Sequence, residues 1–69
     1  MKIAMKAVEF ATADEAIQHA AAEGGAAIDL DGKRLVVTNE DADRLEEAGV
    51  EFAYLCVHKG RIMTVPVND

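Results

Sequence analysis

Residues 26 to 37, AAIDLDGKRLVV, form two alternating apolar and polar runs joined by Asp31-Gly32. That pair suits the positive φ angles of a type I′ turn, so the segment is predicted as a β-hairpin. A two-residue loop sets Ile28 opposite Leu35, Ala26 opposite Val37 and Asp29 opposite Arg34. Apolar then meets apolar and charge meets opposite charge, whereas a slip of one residue would set Ile28 against Arg34.

Helical spacing appears on either side. Thr12 and Glu15 in TADE have the spacing of a capping box, and Ala13, Ala16, Ile17, Ala20 and Ala21 then recur at three and four, giving a helix that Gly24-Gly25 stops. Its apolar stripe is mostly Ala, which allows close approach to a sheet but contributes little area. After the hairpin, Thr38 or Asn39 caps a second helix with Glu40, Asp41 and Asp43 near its positive end and Ala42, Leu45 and Ala48 facing inward. Gly49 suits the left-handed position after the last turn, and Val50 falls where a Schellman motif folds it back onto Leu45.

The ends of the chain are less regular. Residues 2 to 10, KIAMKAVEF, alternate as a strand with Ile3, Met5 and Ala7 inward and Lys2 and Lys6 outward, although a helical stripe also fits them. Residues 51 to 69, EFAYLCVHKGRIMTVPVND, contain two strands around a turn. Lys at positive φ is disfavoured, which predicts a three-residue loop, His58-Lys59-Gly60, with only Gly60 left-handed. That register puts Phe52, Tyr54, Cys56, Ile62, Thr64 and Pro66 on one face, with Leu55 opposite Met63 on the other. Both faces are largely apolar, so either helices cover one face and a partner the other, or both are internal. Pro66 cannot donate to a ladder and marks an outer strand.

The fold class expected is α+β, in the order βαββαββ, with a mainly antiparallel sheet and two helices on one face. Length bounds it further. The chain has 69 residues, room for one domain spanning 1 to 69, and a chain so short hides only about 60% of the surface its unfolded form exposes. With one Cys there is no intrachain disulfide, and two His offer few metal ligands, so self-association is the remaining staple. A homo-oligomer, most simply a dimer, or another protein partner is the expectation.

Seven Lys and Arg against thirteen Asp and Glu give a formal charge of −6. Such a charge opposes binding to phosphate backbones and to acidic membrane surfaces. No apolar run approaches the roughly 20 residues that span a bilayer, and with the single Cys this predicts a cytoplasmic location.

Candidate chemistry is sparse. Cys56 and His58, two apart on a strand, can put a thiolate and an imidazole on one side, and two copies would offer four ligands to Zn²⁺, but a packed thiol is the plainer reading. A Cys56 nucleophile with His58 or His19 as base lacks a third orienting group and a cleft. His19 sits one turn from Glu15 and Glu23 as a surface residue with weak partners. NEDADRLEE is first a wet helix face, though its carboxylates can mimic a nucleic-acid backbone. Asp31-Gly32 lacks the further oxygen ligands of a Ca²⁺ loop, and no Lys-Ser or Lys-Thr follows Gly24-Gly25. No cofactor, metal or catalytic residue is therefore expected.

From residue 2 to 48 the order strand, helix, hairpin IDLDGKRLVV and helix EDADRLEE resembles the N-terminal dimerisation domain of the Phd/YefM-type antitoxins. That resemblance implies a homodimer that represses its own operon and neutralises a partner toxin. Residues 50 to 69 resemble short uncharacterised bacterial proteins, which implies no function. The expected function is a small, non-enzymatic interaction or regulatory module of the bacterial cytoplasm; the alternatives are an antitoxin-like repressor and an acidic inhibitor that mimics nucleic acid.

Overall fold

The computed structural model describes residues 7 to 68. The expected strand positions Lys2, Ile3, Met5 and Lys6 lie outside the described residues. The elements are β1 (Val8–Phe10), α1 (Ala13–Glu23), β2 (Ala26–Leu30), β3 (Lys33–Val37), α2 (Asn39–Glu47), β4 (Phe52–His58) and β5 (Arg61–Val67). They follow the predicted order, and the fold is α+β with one five-stranded sheet, β1-β3-β2-β4-β5, antiparallel at every junction.

Local signals account for the element ends. Thr12 Oγ1 accepts the Glu15 N–H at 3.2 Å and lies 3.2 Å from Glu15 Oε1, so one half of the capping box forms and the Glu15 carboxylate goes to the hydroxyl. Gly24 ends α1 at φ 77°. Thr38, not Asn39, caps α2 by accepting the Asp41 N–H at 3.1 Å. At the other end Gly49 is left-handed and the Val50 N–H returns to the Leu45 carbonyl at 3.1 Å, the long bond of a Schellman motif. Asp31 and Gly32 both take positive φ, and the β2–β3 register is the predicted one, Ile28 opposite Leu35 and Asp29 opposite Arg34.

The helices do not share a face. Ala16 and Ala20 of α1 pack on Ala27, Val36 and Leu55, while Ala42 and Leu45 of α2 pack on Ile28, Leu35, Val37 and Phe52. Neighbouring residues of a strand point to opposite sides, so these two clusters lie on opposite sides of the sheet. The expectation of two helices on one face is corrected accordingly.

Topology gives the reason. β1 and β2 run parallel with β3 between them, and β3 and β4 run parallel, in the reverse direction, with β2 between them. Crossovers between parallel strands of one sheet have a strongly preferred hand. Two crossovers that advance the same way across the sheet from oppositely directed strands keep the same hand only by using opposite faces.

The two cores differ in bulk. On the α2 side Ile28 is fully buried and Leu45 is 3% exposed, and cutting either to Ala is expected to cost about 2–5 kcal/mol. The α1 side is thinner because its helix contributes Ala16 and Ala20 as its buried residues, with Phe10, Ala13 and Ile17 packed at the margin. Ala21 and Ala48, expected inward, are exposed, and Ala7 is exposed and precedes β1. Asp41 takes the inward place on α2 instead, held by the Arg44 guanidinium at 3.4 Å.

Candidate interaction surface

β4 and β5 form a seven-pair ladder that runs from Phe52 opposite Val67 to His58 opposite Arg61. The loop between them has two residues, not three. Lys59 takes φ 52° and Gly60 φ 75°, a type I′ pattern, and every pair of the predicted register shifts by one. A left-handed Lys costs roughly 1–2 kcal/mol. Two features of the other end of β5 offset that cost. Val67 packs against the α2 core cluster, and the Asn68 side-chain amide donates to the carbonyls of Glu46 at 2.8 Å and Val50 at 3.2 Å. The three-residue loop would turn Val67 to the α1 side and forfeit both.

The shift divides the expected surface. Phe52, Tyr54 and Cys56 point to the α2 side; Ile62, Thr64 and Pro66 point to the α1 side. They do not form one patch. Phe52 is 6% exposed and belongs to the core, with Tyr54 edge-on to it at 5.2 Å between ring centroids. Tyr54 and Cys56 are half-buried, whereas Ile62, Thr64 and Pro66 are all exposed.

What the structure presents instead is the edge itself. α1 packs on β1 to β4 and α2 on β2 to β4, but from Arg61 to Pro66 β5 is exposed on both sides. Of the large hydrophobic residues left exposed among the described residues, Val57 (52%), Ile62 (43%), Met63 (47%) and Val65 (50%) sit on this one hairpin, and Val8 lies elsewhere. The opposite edge, β1, is three residues long and carries Glu9, so it offers a poor template.

Ladder parity identifies the free backbone groups. The pair flanking a two-residue turn exchanges both hydrogen bonds, and bonded and non-bonded pairs then alternate. Arg61, Met63, Val65 and Val67 therefore turn their N–H and C=O groups to β4, while Ile62, Thr64 and Pro66 turn theirs outward. Pro66 has no N–H, and its nitrogen points where none is needed for the hairpin.

Charge is unevenly spread around this edge. His58, Lys59 and Arg61 make the turn basic, and all three are exposed. At the far end of β5, Glu46 and Asp43 of α2 approach Tyr54; burial, then these two carboxylates, push its pKa above the ordinary 10.0. Among the described residues the one ion pair is Arg44 with Asp41, so Lys59 and Arg61 have no carboxylate partner there.

The remaining candidate chemistry does not converge. Cys56 and His58 do share the α2 side, because the tighter turn keeps His58 in the strand, and the Cys56 thiol lies 3.7 Å from the Met63 carbonyl oxygen. Among the described residues no three His, Cys, Asp or Glu side chains gather as a metal site. His19 stands on the other side of the sheet against Phe10, 5.0 Å between ring centroids, and cannot serve Cys56 as a base. A shallow groove between the end of α1 and the start of α2 is lined by Val8, His19, Glu23, Gly25, Thr38 and Asn39. Its Asn39 amide is engaged by the Gly24 carbonyl at 3.0 Å. No helix among the described residues is long and apolar enough to cross a membrane. Compared with protein-family models, curated proteins and solved structures, the chain finds no significant match.

Proposed function

We propose that the protein is a small, non-enzymatic interaction module that works by pairing its C-terminal hairpin with another polypeptide. One observation carries this reading: β5 is a seven-residue edge strand, exposed along most of its length, apolar on both sides and charged only at Arg61. Edge strands of that kind are templates for strand addition, which supplies backbone hydrogen bonds for affinity and side-chain contacts on two faces for specificity. A photo-crosslinking residue placed at Val65 and, separately, at Gln18 on α1 tests it in cells. Adducts concentrated at position 65 support the reading; equal yields, or none at 65, reject it.

A second reading rests on α2, whose Glu40, Asp43, Glu46 and Glu47 are all exposed. In that reading the helix occupies the basic groove of a nucleic-acid enzyme. Neutralising Glu40, Asp43 and Glu47 should then abolish nuclease inhibition while leaving crosslinking at Val65 intact. The antitoxin-like reading draws on element order alone and has no support from charge on α1, which carries Asp14, Glu15 and Glu23 and neither Lys nor Arg.

A further inference from the structure

The hairpin reading leaves its partner open, and the edge of β5 carries enough detail to name it. We infer that the partner is a second copy of this chain, joined edge to edge and antiparallel through β5, with Ile62 opposite the partner's Thr64 and Met63 on the two-fold axis. This inference rests on the hairpin being the interface and adds which polypeptide occupies it.

Backbone chemistry selects the register. Ile62 and Thr64 each turn one N–H and one C=O outward. Setting Ile62 opposite the partner's Thr64, and by symmetry Thr64 opposite the partner's Ile62, satisfies all of these groups in four hydrogen bonds. Pro66 then falls outside the bonded stretch, beside the partner's turn, where its missing N–H leaves no acceptor unpaired. The alternative with Thr64 on the axis would set Ile62 opposite Pro66 and leave the Ile62 carbonyl without a donor.

Charge selects the same arrangement. An antiparallel pairing brings the basic turn of one copy to the far end of β5 in the other: Arg61 opposite the partner's Val65 and Lys59 opposite the partner's Val67. A two-fold axis normal to the sheet keeps like faces together, so Arg61, which points to the α2 side, reaches over the end of the partner's α2. There Asn68 holds the helix C-terminus against β5, and Glu46 and Asp43 approach Tyr54. Lys59 and Arg61, which have no carboxylate partner among the described residues, thereby meet carboxylates in the other copy, twice over. A self-complementary edge of this kind is isologous and closes after two subunits, leaving only the short β1 strands at the ends of a ten-stranded sheet.

Two variants test the edge without cutting into the hairpin. Thr64→Pro removes an outward N–H and spares the ladder to β4; Met63→Cys, made together with Cys56→Ser, puts two thiols in a non-bonded antiparallel pair, with Cα atoms about 4.5 Å apart, within the range a disulfide spans. Light scattering on the wild type should give twice the chain mass, and Thr64→Pro should halve it with unchanged far-ultraviolet circular dichroism. Mild oxidation should link Met63→Cys chains in pairs, and should not link Val65→Cys in the same background, which faces Arg61. Association is expected to weaken at least tenfold in Arg61→Glu. A wild-type monomer at 100 µM overturns the inference, as does a dimer that survives Thr64→Pro and links through position 65. If crosslinks from Val65 reach a different protein, the second-copy inference fails and the hairpin reading stands; if position 65 yields no adduct, both fail.

Discussion

The side-chain amide of Asn68 donates to the carbonyl of Glu46 at 2.8 Å, across 22 positions of sequence, and ties the last turn of α2 to the end of β5. A second bond from the same nitrogen reaches the Val50 carbonyl at 3.2 Å. Glu46 lies in the last turn of α2, where its carbonyl also accepts the Gly49 N–H at 3.2 Å, and Val50 follows the helix. The relationship fixes where β5 ends, and with it which residues of β5 face outward.

Removing the amide should therefore loosen the hairpin. Asn68→Gly keeps access to the positive φ of 58° at this position but loses both bonds. Urea unfolding is expected to give a loss of about 0.5–1.5 kcal/mol, toward the lower value because the site is exposed. Asn68→Ala should lose more, since it adds backbone strain. Equal stability of Asn68→Gly and wild type would show that the tie contributes nothing.

Two adjacent glycines are constrained in different ways. A Cβ on Gly25 would lie 2.6 Å from the Val37 carbonyl oxygen, a backbone atom that cannot swing aside, whereas a Cβ on Gly24 meets nothing and suffers only from its φ of 77°. Gly25→Ala should destabilise by about 1–3 kcal/mol through displacement of the β2–β3 pairing. Gly24→Asn, which tolerates the left-handed region, should be nearly neutral in the same thermal melts.

Lys59 is strained for a residue of its type. Asn at that place is suited to a type I′ turn, so Lys59→Asn should stabilise the chain by about 1 kcal/mol when measured in the Thr64→Pro background, where association does not contribute. No gain would mean that the turn does not hold Lys59 left-handed in solution.

Tyr54 is the chain's one tyrosine and there is no tryptophan, so its ionisation can be followed directly by absorbance. The midpoint should lie above 10.0, and Glu46→Gln should bring it part of the way back, with burial left as the larger cause. A raised folded pKa means that the neutral phenol is favoured by folding. Its contribution to stability is complete below pH 10 and is lost as pH rises from the unfolded value through the folded one. A midpoint at or below 10.0 would contradict the placement of Glu46 and Asp43 beside it.

Much of this architecture is legible in the sequence alone. Asp31-Gly32 with its flanking alternation specified one hairpin in the correct register, and Thr12, Gly24, Gly49 and Val50 marked helix ends by hydrogen-bonding needs that are local in sequence. Helix placement was not local. Ala26, Ala27 and Ile28, and Leu35, Val36 and Val37, are consecutive apolar residues in strands covered on both sides, and such runs carry no sign of which helix covers which side. The β4–β5 register failed for a different reason. The preference of Lys against positive φ is a local cost, and it was outweighed by Val67 and Asn68, whose partners on α2 lie some twenty residues away. The candidate surface split with that single-residue shift, because in a strand every change of register exchanges the faces.

The claim on which the rest depends is that the outward N–H groups of Ile62 and Thr64 are bonded across a subunit boundary. Amide hydrogen exchange followed residue by residue at two protein concentrations tests it directly. The account predicts that Ile62 and Thr64 are protected at high concentration and become fast-exchanging on dilution, while Met63 and Val65, bonded within the hairpin, remain protected throughout. Fast exchange at Ile62 and Thr64 at every concentration, with Met63 and Val65 still protected, would contradict it.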